Sequence, residues 1–221
     1  MYLLILFLIG KIFALILGGY YFRILSNPYK IVLFLTGIAS ISETSGYYIS
    51  FILHDSNAWL FNIYMILEVW LMGLAAFYLI QNTISKYILI TLILTNTAFW
   101  AYNIYTYSIY KFASTSMILG CIIMTIIYIM VLISNSLFIS KNIFSQPVFW
   151  LCLSSLLYFG GDIPFMGLHN YLFEKNRKLG DQLVNINTIL DIIRYPMVGI
   201  SFILLGRQHS KPLKVAGHVQ Q

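Results

Sequence analysis

Residues 58–80 read AWLFNIYMILEVWLMGLAAFYLI, a run of 23 residues in which Glu68 is the one charged side chain. At about 1.5 Å per residue a helix of this length covers about 35 Å, enough to cross a hydrocarbon core of about 30 Å. In lipid every backbone polar group has to be satisfied internally, which a helix does and an open strand does not, and the run lacks the alternation of a barrel strand. The stretch predicts a transmembrane helix with a carboxylate at its middle.

Comparable runs lie on both sides of it. Residues 2–22 and 31–53 precede it, and 87–105, 114–138, 147–168 and 183–205 follow. The expected fold is therefore all-α, a polytopic transmembrane bundle of seven spans over residues 1–206 with a short basic tail at 207–221. Composition agrees: 60% of the 221 residues are hydrophobic and 9% charged, with mean hydropathy +0.83, against about 25% charged residues in a soluble domain. The first run has no basic n-region and no A-x-A-like cleavage site, so it reads as a retained span.

The connections carry turn residues, as at Ser26, Asn27 and Pro28, at His54, Asp55, Ser56 and Asn57, and over 81–86. Short connections predict antiparallel neighbours. Tyr20, Tyr21, Trp59, Phe99, Trp100, Phe149 and Trp150 gather at span ends, where amphipathic rings favour the headgroup level. No internal repeat and no matched pair of broken helices is visible, which weakens a transporter reading.

The net charge of +6 is dispersed among loops, which argues against nucleic acid as a partner. Arg23, Lys30, Lys86, Lys141, Arg207, Lys211 and Lys214 fall on one side of the predicted topology, and Lys111, Lys175, Arg177 and Lys178 on the other. The richer side belongs in the cytoplasm, so the N-terminus is expected outside and the C-terminus inside.

Six ionisable residues fall within the runs: Lys11, Glu43, Glu68, Asp162, Asp191 and Arg194. All but Asp162 are expected at mid-membrane, where a charge costs about 2.5–3.5 kcal/mol on insertion scales and normally faces the bundle interior. Polar stripes support convergence. Thr36, Ser40, Glu43, Tyr47 and Ser50 share a face of the second span, Asn187, Asp191, Arg194 and Ser201 one of the seventh, and Ser155, Tyr158 and Asp162 one of the sixth. Asp191 and Arg194, at i and i+3, have the spacing of an intrahelical ion pair. Pro196 predicts a kink beside them, and Gly160, Gly161 and Pro164 an irregular sixth helix with Asp162 near its outer end.

Lys11 and Arg194 bring two positive charges against Glu43, Glu68 and Asp191, so one carboxylate is expected to lack a cationic partner and to favour its neutral form, with Glu43 or Glu68 as the proton-exchanging or ligand-binding acid. Two readings follow. The charges are a binding site, or they are staples that fix helix register, each polar contact contributing on the order of 0.6–2 kcal/mol. Gly18, Gly37, Gly120 and Gly199 read as close-packing positions.

Other chemistry has no support in the residues. Cys121 and Cys152 lie within apolar runs without C-x-x-C spacing, and His54, His169, His209 and His218 lie in loops or the tail. H-E-x-x-H, G-x-S-x-G and Gly-rich phosphate loops are absent, so neither a metal nor another cofactor is expected.

FNIYMILE at 61–68, PVFW at 147–150 and the Asn187 to Pro196 stretch are features by which the chain resembles the uncharacterised small seven-span integral membrane proteins of bacteria. The resemblance implies a membrane location, with the bacterial inner membrane as its site, and carries over no catalytic residue. The expected function is a non-enzymatic sensing or ligand-binding module in the bilayer, signalling to a separate membrane or cytoplasmic partner. The alternatives are a small proton- or ion-coupled transporter using Glu43, Glu68 and Asp191, and a lipid-modifying enzyme using Asp162 with His169.

Overall fold

A computed structural model of the chain describes residues 2–135 and 142–210. Seven α-helices make up nearly all of it, and no strand occurs among the described residues: α1 Tyr2–Tyr20, α2 Asn27–Phe51, α3 Ala58–Leu79, α4 Thr83–Tyr107, α5 Ser114–Ser134, α6 Pro147–Lys175 and α7 Arg177–Ser210, with a 3₁₀ turn at Ile143–Ser145 before α6. Each begins or ends within a few residues of the predicted run. Proline at the first turn starts α2 and α6, where its missing N–H has no intrahelical partner to lose. The Asn82 side chain caps α4 by accepting from Ile84 N at 2.8 Å. The predicted end of the fifth run at Phe138 lies outside the described residues, as does the tail from residue 211. The boundary drawn at 206 falls within α7.

Among the described residues five helices are long and apolar enough to cross a membrane: α3, α4, α5, Pro147–Leu168 of α6 and Lys178–His209 of α7. This is the make-up of a membrane-embedded protein. In α1 the apolar part is the shorter Leu6–Tyr20, and α2, which is not among the five, is interrupted by Thr36, Ser40, Ser42, Glu43, Thr44 and Ser45.

The helices alternate in direction. Lys11 meets Glu43 and Gly18 meets Leu33 between α1 and α2. Gly167 faces Ile118 and Asp162 faces Cys121 between α5 and α6, while Tyr158 meets Arg194 and Gly161 meets Leu190 between α6 and α7. In each pair one number rises as the other falls, so neighbours are antiparallel. Alternate helices are parallel. Asn62 near the start of α3 is bonded to the segment before α5, and Leu79 at its end accepts from Asn135 at the end of α5.

Six helices close a ring in the order α1, α2, α3, α5, α6, α7, with α7 packed against α1, and α4 lies outside it in the groove between α3 and α5. The position of α4 is written in its spacing. Leu89, Ile93, Asn96 and Asn103 are its buried residues, one narrow stripe, while Ile84, Tyr87, Ile88, Ile90 and Leu94 are exposed. An apolar outer face of this kind suits lipid.

Glycines set the close crossings. Gly10 of α1 packs on the Pro196 ring, Gly199 of α7 on Phe13 and Leu17, Gly46 on Phe61, and Gly73 on Ile93. A methyl group added at Gly199 would lie 3.0 Å from the Phe13 ring. Gly18 and Gly120 are close-packing positions as expected. Gly37 is not, for nothing lies within 4 Å of the place its Cβ would take.

The helix continues through both internal prolines, Pro164 and Pro196. Whatever irregularity Gly160, Gly161 and Pro164 introduce does not end the sixth helix, which runs on to Lys175. Asp162 lies at the middle of the full α6 helix and six residues from the end of its apolar part, Pro147–Leu168.

Candidate functional site

Each charged residue of the predicted cluster sits near the middle of its helix, and the interior faces of α1, α2, α3, α6 and α7 bring them together. On one side Lys11 of α1 forms an ion pair with Glu43 of α2. Lys11 is 2% exposed, and its ammonium also stands 4.1 Å from the centre of the Phe7 ring and 4.9 Å from that of Tyr195. These are cation–π distances, which matter most where water is excluded.

On the other side Arg194 of α7 meets Glu68 of α3 at 2.7 Å, with Glu68 wholly buried. The guanidinium lies 3.9 Å from the Tyr158 ring centre and is flanked by Phe159 and Tyr195. The intrahelical pair suggested by the spacing of Asp191 and Arg194 is not the one formed. A buried Glu68 with no other counter-ion binds Arg194 more strongly than a neighbour one turn away, because an uncompensated charge in the interior costs several kcal/mol.

Asp191 is left between the two pairs. It is buried, and Glu43, Arg194, Lys11 and Glu68 are its charged neighbours. Its Oδ1 has no hydrogen-bond partner, and neither has Oδ1 of Asn187 one turn earlier on the same face. Asp162 is wholly buried on α6, where Cys121 Sγ donates to its Oδ2 at 3.9 Å and its Oδ1 is unpartnered. Glu68 and Arg194 are its charged neighbours. Among the described residues the interior thus holds four carboxylates, Glu43, Glu68, Asp162 and Asp191, against two cations, Lys11 and Arg194.

The polar stripes behave differently from one another. Tyr158, Asp162 and Ser155 of α6 are buried, as are Asp191, Arg194 and Ser201 of α7. In α2 the buried face is Val32, Leu35, Thr36, Ala39, Ser42 and Gly46, so the predicted stripe is rotated to its edge: Tyr47 and Ser50 are exposed and Glu43 is a quarter exposed. The hydroxyls there bond within their own helix, Thr36 to Val32 O at 2.9 Å and Ser40 to Thr36 O at 2.9 Å. Such self-satisfaction removes the reason for a hydroxyl to face inward.

The centre is almost solid. A cavity of about 10 Å³, the space of about one water molecule, is bounded by Thr36, Tyr64, Arg194 and Tyr195 among others. A wider pocket of about 590 Å³ opens at the α4–α5 end beside Phe99, Tyr102, Tyr107 and Lys111. No group of three or more His, Cys, Asp or Glu among the described residues is arranged to hold a metal ion. Cys121 and Cys152 are buried and unbridged. The His169 side chain, suggested as a partner of Asp162, lies outside the described residues.

Two kinds of residue escaped the sequence reading. Tyr64 and Tyr195 wall the charges, and only their neighbours Glu68 and Arg194 signalled them. Asn62 is wholly buried and donates to Ile109 O at 2.7 Å and Lys111 O at 2.8 Å, accepts from Ala113 N at 3.1 Å, and its carbonyl receives Trp100 Nε1 at 3.1 Å. An amide in an otherwise apolar run was its signal.

No protein family, curated protein or solved structure matches the chain.

Proposed function

We propose that the protein is a seven-span membrane module whose buried ionic network binds or senses a ligand, without enzymatic chemistry of its own, and passes its state to a separate membrane or cytoplasmic partner. Its N-terminus lies outside, its basic tail at 207–221 in the cytoplasm, and the bacterial inner membrane is its location. One observation carries the reading: two interhelical ion pairs share a tightly packed interior with two further carboxylates, Asp162 and Asp191, that form no ion pair among the described residues. A network built only to staple helices has no use for surplus negative charge, which costs stability wherever it is ionised.

The test is the stability and tryptophan fluorescence of the purified protein across pH, for the parent and for Glu43→Gln, Glu68→Gln and Asp191→Asn. A variant that folds like the parent and loses a pH-dependent transition supports the module. Variants that melt lower and keep every transition of the parent reduce the charges to staples.

The same surplus of carboxylates over cations favours a second reading, a small proton- or ion-coupled transporter with Glu43, Glu68 and Asp191 as relay groups. Flux in proteoliposomes that disappears when these acids are neutralised distinguishes it from a sensor.

A further inference from the structure

We propose that the ligand of the buried network is a single proton, held on α7 between the Asp191 carboxyl and the side-chain carbonyl of Asn187. The inference rests on reading the network as a ligand-responsive element and names what that element binds.

Asn187 and Asp191 stand at i and i+4, one above the other on the same face of the helix. Oδ1 of each is shut off from solvent without a hydrogen-bond partner, and Asp191 is 7% exposed. An ionised carboxylate and an amide carbonyl are both acceptors and have no hydrogen to share. One proton resolves both atoms at once: the Asp191 carboxyl donates its O–H to Asn187 Oδ1, and a negative charge without a cation disappears.

The surroundings leave no other occupant so well suited. The groups that face Asp191 are Lys11 from α1, Glu43 from α2, Glu68 and Tyr64 from α3, Tyr158 from α6, and Arg194 and Tyr195 on α7 itself. Lys11 and Arg194, the two cations, are already engaged by Glu43 and Glu68. A hard metal ion takes about six oxygen ligands, whereas α7 offers two unpartnered ones. The route the proposal requires runs along the helix toward its start, where Asn187 is half-buried and Gln182 and Asn185 are exposed. Exchange is plain acid–base chemistry: the carboxyl O–H bond breaks as a water molecule at that end takes the proton, and it re-forms in reverse.

Infrared difference spectroscopy of the full chain in lipid, titrated over pH with and without added Na⁺, tests this directly. The parent is expected to show a carboxylic-acid C=O stretch that disappears as pH rises and is indifferent to Na⁺. Asp191→Asn should lack that band. Asn187→Leu should keep it at a higher wavenumber, since the acid has lost its acceptor. A band that persists in Asp191→Asn assigns the proton to another acid and overturns the proposal. So does a band that Na⁺ removes at fixed pH, or the absence of any such band. Where Asp191→Asn does not fold, an unshifted band in Asn187→Leu overturns it equally. If the bands behave as expected and neither variant alters the pH-dependent transition, the proton site stands and the responsive module falls. If the transition depends on Glu43 or Glu68 while the band is indifferent to residue 191, the module stands and this site falls.

Discussion

The two sides of the bundle solve one problem in opposite ways. Where α3, α4 and α5 meet, buried polarity is neutral and largely satisfied: Asn62 ties the α4–α5 connection to α3, Asn103 donates to Ser116 Oγ at 2.7 Å, and Asn135 donates to Leu79 O at 3.1 Å, with Asn96 Oδ1 and Ser114 Oγ the exceptions. Where α1, α2, α3, α6 and α7 meet, the polarity is ionic and incomplete. Asn62, Asn103 and Asn135 stand near helix ends and find uncharged partners in a neighbouring segment. Charges stand at mid-helix with oxygens unpartnered, so that side is stable only while its proton and charge balance is kept.

The widest separation between the two sides should come from Glu68→Ala. It leaves the Arg194 guanidinium buried without its counter-ion, a loss of about 3–5 kcal/mol, measurable as a lowered unfolding midpoint in detergent micelles. Asn62→Leu comes next, at about 2 kcal/mol, since it strands the Ile109 and Lys111 carbonyls and the Ala113 N–H at about 1–3 kcal/mol for an unsatisfied buried group. Its effect should stay local, as faster hydrogen exchange in residues 108–113. An Asn62 variant less stable than the Glu68 variant would break the comparison and make the amide side the keystone.

Glu43→Gln should cost about 1 kcal/mol, less than the Glu68 change, because Glu43 is a quarter exposed and ion pairs reached by solvent weaken toward the 0–1 kcal/mol of surface pairs. The smallest effect expected is that of Trp70→Phe, which removes the 3.0 Å bond to Thr97 at the α3–α4 contact, on the order of 0.6 kcal/mol for an interhelical bond in a membrane bundle. A larger loss there would mean that α4 is held to the ring by more than packing.

Length and apolarity made the helices legible, since a hydrophobic run has few other ways to exist. They also made it legible that Lys11, Glu43, Glu68, Asp191 and Arg194 would face one another. Which cation takes which acid was not, because that choice depends on the lateral order of helices far apart in the chain. The local i, i+3 rule gave Arg194 to Asp191, whereas Glu68 on α3 captured it. The α2 stripe failed for a related reason: the Thr36 and Ser40 hydroxyls bond to their own backbone, so they do not decide which face of that helix turns inward. Glycines divided likewise, Gly18 and Gly120 lying at crossings and Gly37 at none.

The closing of the ring by α7 against α1 bears on how the chain is made. Lys11 and Glu43 emerge on consecutive helices and can neutralise each other as a hairpin soon after synthesis. Glu68 has no such companion. Its partner is carried by the last helix, as are the Tyr195 and Pro196 surfaces that cover Phe7 and Gly10. Until translation reaches α7, the nascent protein holds an orphan acid and an uncovered first helix, so a chain truncated before Arg194 presents quality-control proteases with a recognisable, unfinished substrate.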